Sequence, residues 1–205
     1  MLIKICGITT PEIAIECFES GADMIGLVHY PASPRHVGST IIMEILDAVE
    51  QYRDNGRKVV LVVVDSLPEE SVSRFDYVQC YGHIRQSIPC KMIPVISDRK
   101  AYDEMMSKPG KVERDLLYTL EMSRGILPGG NGAAWDWSEA KPFCERYPTL
   151  IAGGITLGNV IGVIQSARPF GIDVSSGVES IRGIKDMKMV GRLIEIVHEY
   201  QYNNE

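Results

Sequence analysis

The chain has 205 residues, enough for one domain with a sizeable core, and 45% of them are hydrophobic. Its net charge is −6 at pH 7, with no Lys/Arg cluster to suggest a nucleic-acid partner. Apolar runs such as Val59 to Val64 are only strand-length, so no membrane span is expected.

The N-terminus M-L-I-K-I-C-G lacks the basic region and long apolar core of a signal peptide. Leu2 to Cys6 reads as a first strand, broken by Gly7. Thr10 suits an N-cap and Pro11 the first helical position; Ile13, Ala14, Cys17 and Phe18 share a face, and Gly21 ends the helix. Ala22 to His29 is the second strand, apolar as a buried parallel strand is. After a loop from Tyr30 to Val37, Ser39 or Thr40 is expected to cap a long helix to about Arg53. Lys58 to Val64 is a β-branched third strand. A short helix over Pro68 to Arg74, a fourth strand over Asp76 to Cys80 and a brief helical segment over His83 to Ile88 follow.

Lys91 to Ile96 is strand five, and Asp98 caps a helix ending near Lys108. Glu113 to Leu120 is strand six. Ser138 is expected to cap a helix to Arg146, and Thr149 to Ala152 is strand seven. Thr156 is expected to cap a helix to about Ala167, Phe170 to Val174 is strand eight, and Asp186 opens a last helix to about Tyr200. Eight strands alternating with helical segments imply parallel strands with crossover connections. The expectation is an α/β fold with one domain over residues 1–205: eight units favour a single (β/α)8 TIM barrel with a parallel eight-stranded core over an open doubly wound sheet, an alternative that periodicity alone leaves standing.

In such a barrel the residues just after each strand share the reactive face. Those ends collect Cys6, Arg35, Gln79, Glu121, the run Gly129-Gly130-Asn131-Gly132, Gly153-Gly154 and Ser175-Ser176-Gly177. Reactive side chains come early in the chain and glycine-rich turns late. Glycines let a backbone approach an anion, and free N–H groups in such turns form an anion-binding nest. Gly153-Gly154 and Ser176-Gly177 stand after strands seven and eight, where barrels hold phosphate. The composition fits a phosphorylated small-molecule substrate. The five cysteines are scattered with no C-x-x-C, which argues against a disulfide framework or structural zinc and for a reducing, cytoplasmic compartment. Cys17 and Cys144 read as filler on helix faces, Cys80 as either packing or a site neighbour, and Asp173 as a brace at the barrel mouth. Asp136 is expected to cap or orient the Trp135/Trp137 turn.

Several motifs resemble one family in order along nearly the whole chain. Lys4-Ile5-Cys6-Gly7-Ile8-Thr9 and Tyr30-Pro31-Ala32-Ser33-Pro34-Arg35-His36-Val37 resemble stretches of phosphoribosylanthranilate isomerase. So do Gly129-Gly130-Asn131-Gly132 with Trp135-Asp136-Trp137, Ile151-Ala152-Gly153-Gly154-Ile155, Asp173 through Glu179, and Gly183-Ile184-Lys185-Asp186. The resemblance implies a barrel that uses no metal or cofactor. It also implies an Amadori rearrangement of N-(5-phosphoribosyl)anthranilate to 1-(carboxyphenylamino)-1-deoxyribulose 5-phosphate, in tryptophan biosynthesis. By the same resemblance Cys6 matches the general base, Glu121 stands at the general acid's position, and Arg35 faces the anthranilate carboxylate. The late glycines match the phosphate cradle. The substrate-binding set is then Arg35, Gln79, Gly129, Gly130, Asn131, Gly153, Gly154, Ser176 and Gly177. Monomer and homodimer are both open.

Four positions depart from the family pattern. Glu121 replaces Asp, and an extra methylene moves the carboxyl by up to about 1.5 Å. Gln79-Cys80-Tyr81-Gly82 stands where Q-L-H-G is usual, so a histidine is missing. Asn131 replaces Thr or Ser in G-G-T-G, and His29 replaces a common Phe. The first two leave an alternative open, an isomerase or lyase acting on a different phosphorylated sugar or aminoaldose. A non-catalytic phospholigand-binding module is a third reading, disfavoured by the retained cysteine, carboxylate and arginine.

Overall fold

The computed structural model describes residues 1–68, 72–82, 84, 86–107, 116–123 and 133–204. Eight parallel strands close into a barrel in chain order: β1 (Leu2–Cys6), β2 (Met24–Val28), β3 (Lys58–Val63), β4 (Tyr77–Cys80), β5 (Lys91–Ile96), β6 (Tyr118–Leu120), β7 (Thr149–Ala152) and β8 (Gly171–Val174). The seam closes where β1 pairs with β8, Lys4 lying opposite Asp173. The expected parallel (β/α)8 barrel is therefore what the chain forms.

Strand periodicity sorts the side chains into two layers. Ile3 and Ile5, Ile25 and Leu27, and Leu61 and Val63 point outward into the main core beneath the helices. Their alternates Cys6, Met24, Val60, Val62, Ile93 and Leu150 form a second apolar cluster inside the barrel. The outer layer is covered by α1 (Pro11–Glu19), α2 (Ser39–Ala48), α3 (Glu50–Arg53), α4 (Arg99–Ser107), α5 (Lys141–Arg146), α6 (Val160–Ala167) and α7 (Met187–Tyr202). Thr10 caps α1 through a 3.4 Å bond from the Ile13 N–H, and Asp186 caps α7 by accepting from Lys188 and Met189.

The local differences from the sequence reading have physical causes. Gly38, not Ser39 or Thr40, is the N-cap of α2 and makes no side-chain bond; Ser39 already lies within the helix. The long helix breaks at buried Val49 (φ −103°, ψ 5°), which separates α2 from α3. Asp136, not Ser138, caps the 3₁₀ turn Trp137–Ala140 that leads into α5, and its carboxylate accepts from the Ser138 N–H. Thr156 does not cap α6 directly. Its carbonyl accepts from the Asn159 and Val160 N–H groups, and Asn159 becomes the cap one turn later. Between β3 and β4 the described residues hold only a 3₁₀ turn, Val72–Arg74, and Ile84 and residues 86–88 are not helical. The strand expected from Glu113 is ordered as a ladder only over Tyr118–Leu120, residues 113–115 lying outside the described set. An antiparallel hairpin absent from the sequence reading, β9 (Glu179–Ile181) with β10 (Ile184–Lys185), follows β8. No helix among the described residues is long and apolar enough to cross a membrane.

Candidate active site

The inward parity of β1 puts Lys4 and Cys6 into the barrel one above the other. Lys4 Nζ bonds Asp173 Oδ2 at 2.7 Å, and both side chains are buried. On the neighbouring strand Gly26 leaves the space they need: a Cβ there would stand 2.8 Å from Cys6 Sγ and 3.1 Å from Lys4 Nζ. Cys6 is 9% exposed at the base of the mouth. Burial pushes its thiol above the ordinary range; the Lys4 and Lys185 cations pull it back and Asp173 pushes it up again, with the balance upward. A thiolate base calls for a lowered thiol, so in this barrel the neighbouring cations offset burial only in part.

Glu121 follows the last residue of β6 and points inward, in register with Thr119. It is 2% exposed. Tyr81 donates to its Oε2 at 2.7 Å and Ser123 to its Oε1 at 2.9 Å. Parity explains why Tyr81 is there: Gln79 faces in, Cys80 faces out, Tyr81 faces in. Cys80 accordingly belongs to the outer core, donates to the Val64 and Gly82 carbonyls, and has its thiol pushed up by burial. That places it in packing. Burial, with the charges of Glu121, Asp173 and Cys6 around it, holds the Tyr81 phenol well above its ordinary pKa, so it stays a donor.

Arg35 is 3% exposed. Its Nε and Nη2 form a two-pronged pair with Glu179 of β9 at 2.7 and 2.9 Å, a geometry suited to the planar guanidinium. Lys185 of β10 donates to the same carboxylate at 2.6 Å and to Ser175, whose hydroxyl donates to the Cys6 carbonyl. Burial would raise the Glu179 carboxyl, but Arg35, Lys185 and the Gly183 N–H together bring it down to about 2. The hairpin thus ties the β2 loop to the ends of β1 and β8.

Cys6, Arg35, Tyr81, Glu121, Gly153, Gly154, Asp173 and Ser176 line one cleft at the C-terminal mouth, a space of about 720 Å³ that includes its opening to solvent. Gly154 adopts φ +68°, and a Cβ there would run into the backbone of Ala133 and Ala134. Trp135 and Trp137 brace this turn, their indole N–H groups donating to the Ala152 and Gly153 carbonyls. The N–H groups of Gly154, Ser176 and Gly177 have no acceptor among the described residues. Such a rim of N–H groups suits an anion.

The structure brings together Cys6, Glu121, Arg35, Gly153, Gly154 and Ser176. Gly177 packs beneath the Ile155 carbonyl, beside the cleft. Gln79 does not line the cleft: it is fully buried, with Nε2 near Asp173 Oδ2 (3.4 Å) and the Tyr81 oxygen (3.5 Å). Gly129, Gly130 and Asn131 lie outside the described residues. Lys4, Tyr81, Ser123, Glu179 and Lys185 join the site through contacts to which no sequence motif assigns a role. Lys4 could have been noticed as a lone charge in an apolar strand, and Tyr81 as the alternate of Gln79. No signal marked Glu179 as the partner of Arg35, 144 residues away. Among the described residues no group of three His, Cys, Asp or Glu could hold a metal ion.

A closed parallel (β/α)8 barrel with titratable side chains and glycine turns gathered on its C-terminal rim is the architecture of a barrel enzyme. The family model for N-(5'-phosphoribosyl)anthranilate (PRA) isomerase matches residues 3–196. The chain is 37% identical over 201 residues to N-(5'-phosphoribosyl)anthranilate isomerase of Desulfatibacillum aliphaticivorans, covering 94% of this chain and 91% of the relative. It superposes with a TM-score of 0.73 on phosphoribosyl anthranilate isomerase from Thermotoga maritima, at 26% identity, covering 97% of this chain and all of the other. A phosphoribosyl anthranilate isomerase structure in complex with reduced 1-(o-carboxyphenylamino)-1-deoxyribulose 5-phosphate matches with a TM-score of 0.74 at 27% identity, with the same coverage. The chain belongs to the N-(5'-phosphoribosyl)anthranilate isomerase family and is an isomerase.

Proposed function

We propose that the protein catalyses the Amadori rearrangement of N-(5-phosphoribosyl)anthranilate in tryptophan biosynthesis, with Glu121 as general acid and Cys6 as general base. The observation that carries the reading is one cleft holding a thiol from β1, a carboxyl from β6 and the glycine turns after β7 and β8. Glu121 gives its proton to the furanose ring oxygen as the C1–O bond breaks, and the anilino nitrogen lone pair forms the iminium. The Cys6 thiolate then removes the C2 proton, and the bonding pair forms the enolamine, which tautomerises to the ketone. Gly153, Gly154 and Ser176 of the cleft cradle the phosphate, with Gly177 beside them, and Arg35 presents its positive charge to the anthranilate carboxylate. Gly129, Gly130 and Asn131 enter the cradle through the family resemblance. Gln79 acts from below, on Tyr81 and Asp173, rather than on substrate.

The test is turnover of freshly made N-(5-phosphoribosyl)anthranilate, followed by loss of anthranilate fluorescence. Wild type turns over, and Cys6→Ala and Glu121→Gln each lose roughly 100- to 10,000-fold in kcat, the range of a positioned acid or base. A folded wild type without turnover, or full turnover by Cys6→Ala, rejects the reading and sends the search to other phosphorylated aminoaldoses.

A further inference from the structure

We infer that Tyr81 is a positioning residue for the acid: its hydroxyl holds the Glu121 carboxyl by Oε2 at the point where the cleft meets substrate. The inference rests on Glu121 being the acid. Tyr81 Oη donates to Oε2 at 2.7 Å, a short bond for two oxygens. Gln79 Nε2 lies on the far side of that phenol oxygen, at 3.5 Å, and as an N–H donor it leaves the phenol to give its own proton to Glu121.

Oε2 is therefore an acceptor in the resting site. Oε1 faces Ser123 Oγ at 2.9 Å, and a serine hydroxyl rotates to donate or accept. It can point its proton at Oε1 when Glu121 is ionised and receive one from Oε1 when Glu121 is protonated. Tyr81 has no such freedom, since Gln79 is fully buried and holds the phenol oxygen from the other side. The longer Glu121 side chain needs this anchor more than an aspartate would, having one more rotatable bond. Tyr81 also lines the cleft, so its hydroxyl fixes the carboxyl at the point where substrate meets it.

The experiment is steady-state turnover of N-(5-phosphoribosyl)anthranilate by wild type, Tyr81→Phe, Glu121→Asp and the double variant, each checked by thermal melting. Loss of anchoring is expected to lower kcat by about 10- to 100-fold in Tyr81→Phe, in line with the cost of a misplacement of about 1 Å. KM should stay within about threefold, because the hydroxyl acts on the acid and not on bound substrate. Glu121→Asp draws the carboxyl back by about 1.5 Å, out of reach of the hydroxyl. Tyr81→Phe should then cost nothing more in that background. Tyr81→His, which keeps a donor, should recover part of the lost turnover and covers the case of a poorly folded Phe variant. Wild-type kcat in Tyr81→Phe, a loss confined to KM, or an equal loss in the Glu121→Asp background overturns the inference. Full turnover by Glu121→Gln would instead remove the acid assignment itself, an outcome readable apart from the others.

Discussion

Cys6 sets the pH behaviour expected at the level of single residues. Its thiol is pushed up by burial and by Asp173, with Lys4 and Lys185 only partly offsetting them. A base works deprotonated, and a raised pKa leaves little thiolate at neutral pH. The ultraviolet thiolate absorbance that Cys6→Ala removes should therefore rise about tenfold per pH unit between roughly pH 6 and 8, since each unit multiplies the thiolate fraction by ten. A profile already flat from pH 6 would mean that the thiol is ionised there and that Lys4 outweighs burial. The residue scale is also where the sequence was least informative. Cys6, Glu121 and Arg35 were readable as strand-end residues within family motifs. Tyr81 was readable only as a missing histidine, because whether it meets Glu121 depends on register across two strands 40 residues apart.

The hairpin β9–β10 is the element the sequence concealed. Its strands are three and two residues long, too short for an alternation pattern, and its stability comes from charge rather than from an apolar face. Glu179 is the centre of that charge, held at about 2 by Arg35, Lys185 and the Gly183 N–H against the cost of burial. The sign follows directly. A carboxyl lower in the folded than in the unfolded chain adds stability above its unfolded value of 4.5, and that stability is lost as pH falls through about 2. The displacement corresponds to about 3 kcal/mol. Urea unfolding should show a steady loss of that size between about pH 5 and pH 2, beyond the general acid sensitivity of the chain. Glu179→Gln should flatten this part of the curve and raise KM, because Arg35 loses its two-pronged anchor. An acid limb of equal size in Glu179→Gln would place the titration elsewhere. The regular elements were easier to read: β5 and β7 run over the very residues that the apolar runs gave, whereas helix starts shifted by a residue or more wherever two polar residues competed to cap.

At the scale of the whole molecule, a barrel differs from an open sheet in one place, the seam where the last strand returns to the first. Here that seam joins β1 to β8, and its register sets Lys4 opposite Asp173. Their 2.7 Å ion pair spans the closure inside the barrel and joins partners 169 positions apart in the chain. Alternation of strands and helices could suggest eight strands, but it could not show that they close; closure depends on contacts that sequence periodicity does not record. Burying two charges carries a desolvation cost that their attraction repays only while both are present. Lys4→Met leaves Asp173 buried without its cation, so urea unfolding should show a loss of about 3–5 kcal/mol. Lys4→Met combined with Asp173→Leu removes both charges and should regain most of that loss, since an apolar pair fills the same space without an orphaned charge. Turnover should not return with it, because Cys6 then lacks the cation that partly offsets its burial. Stability restored with activity still absent would assign the pair to both closure and chemistry, while a Lys4→Met variant as stable as wild type would show that the seam closes on its backbone ladder alone.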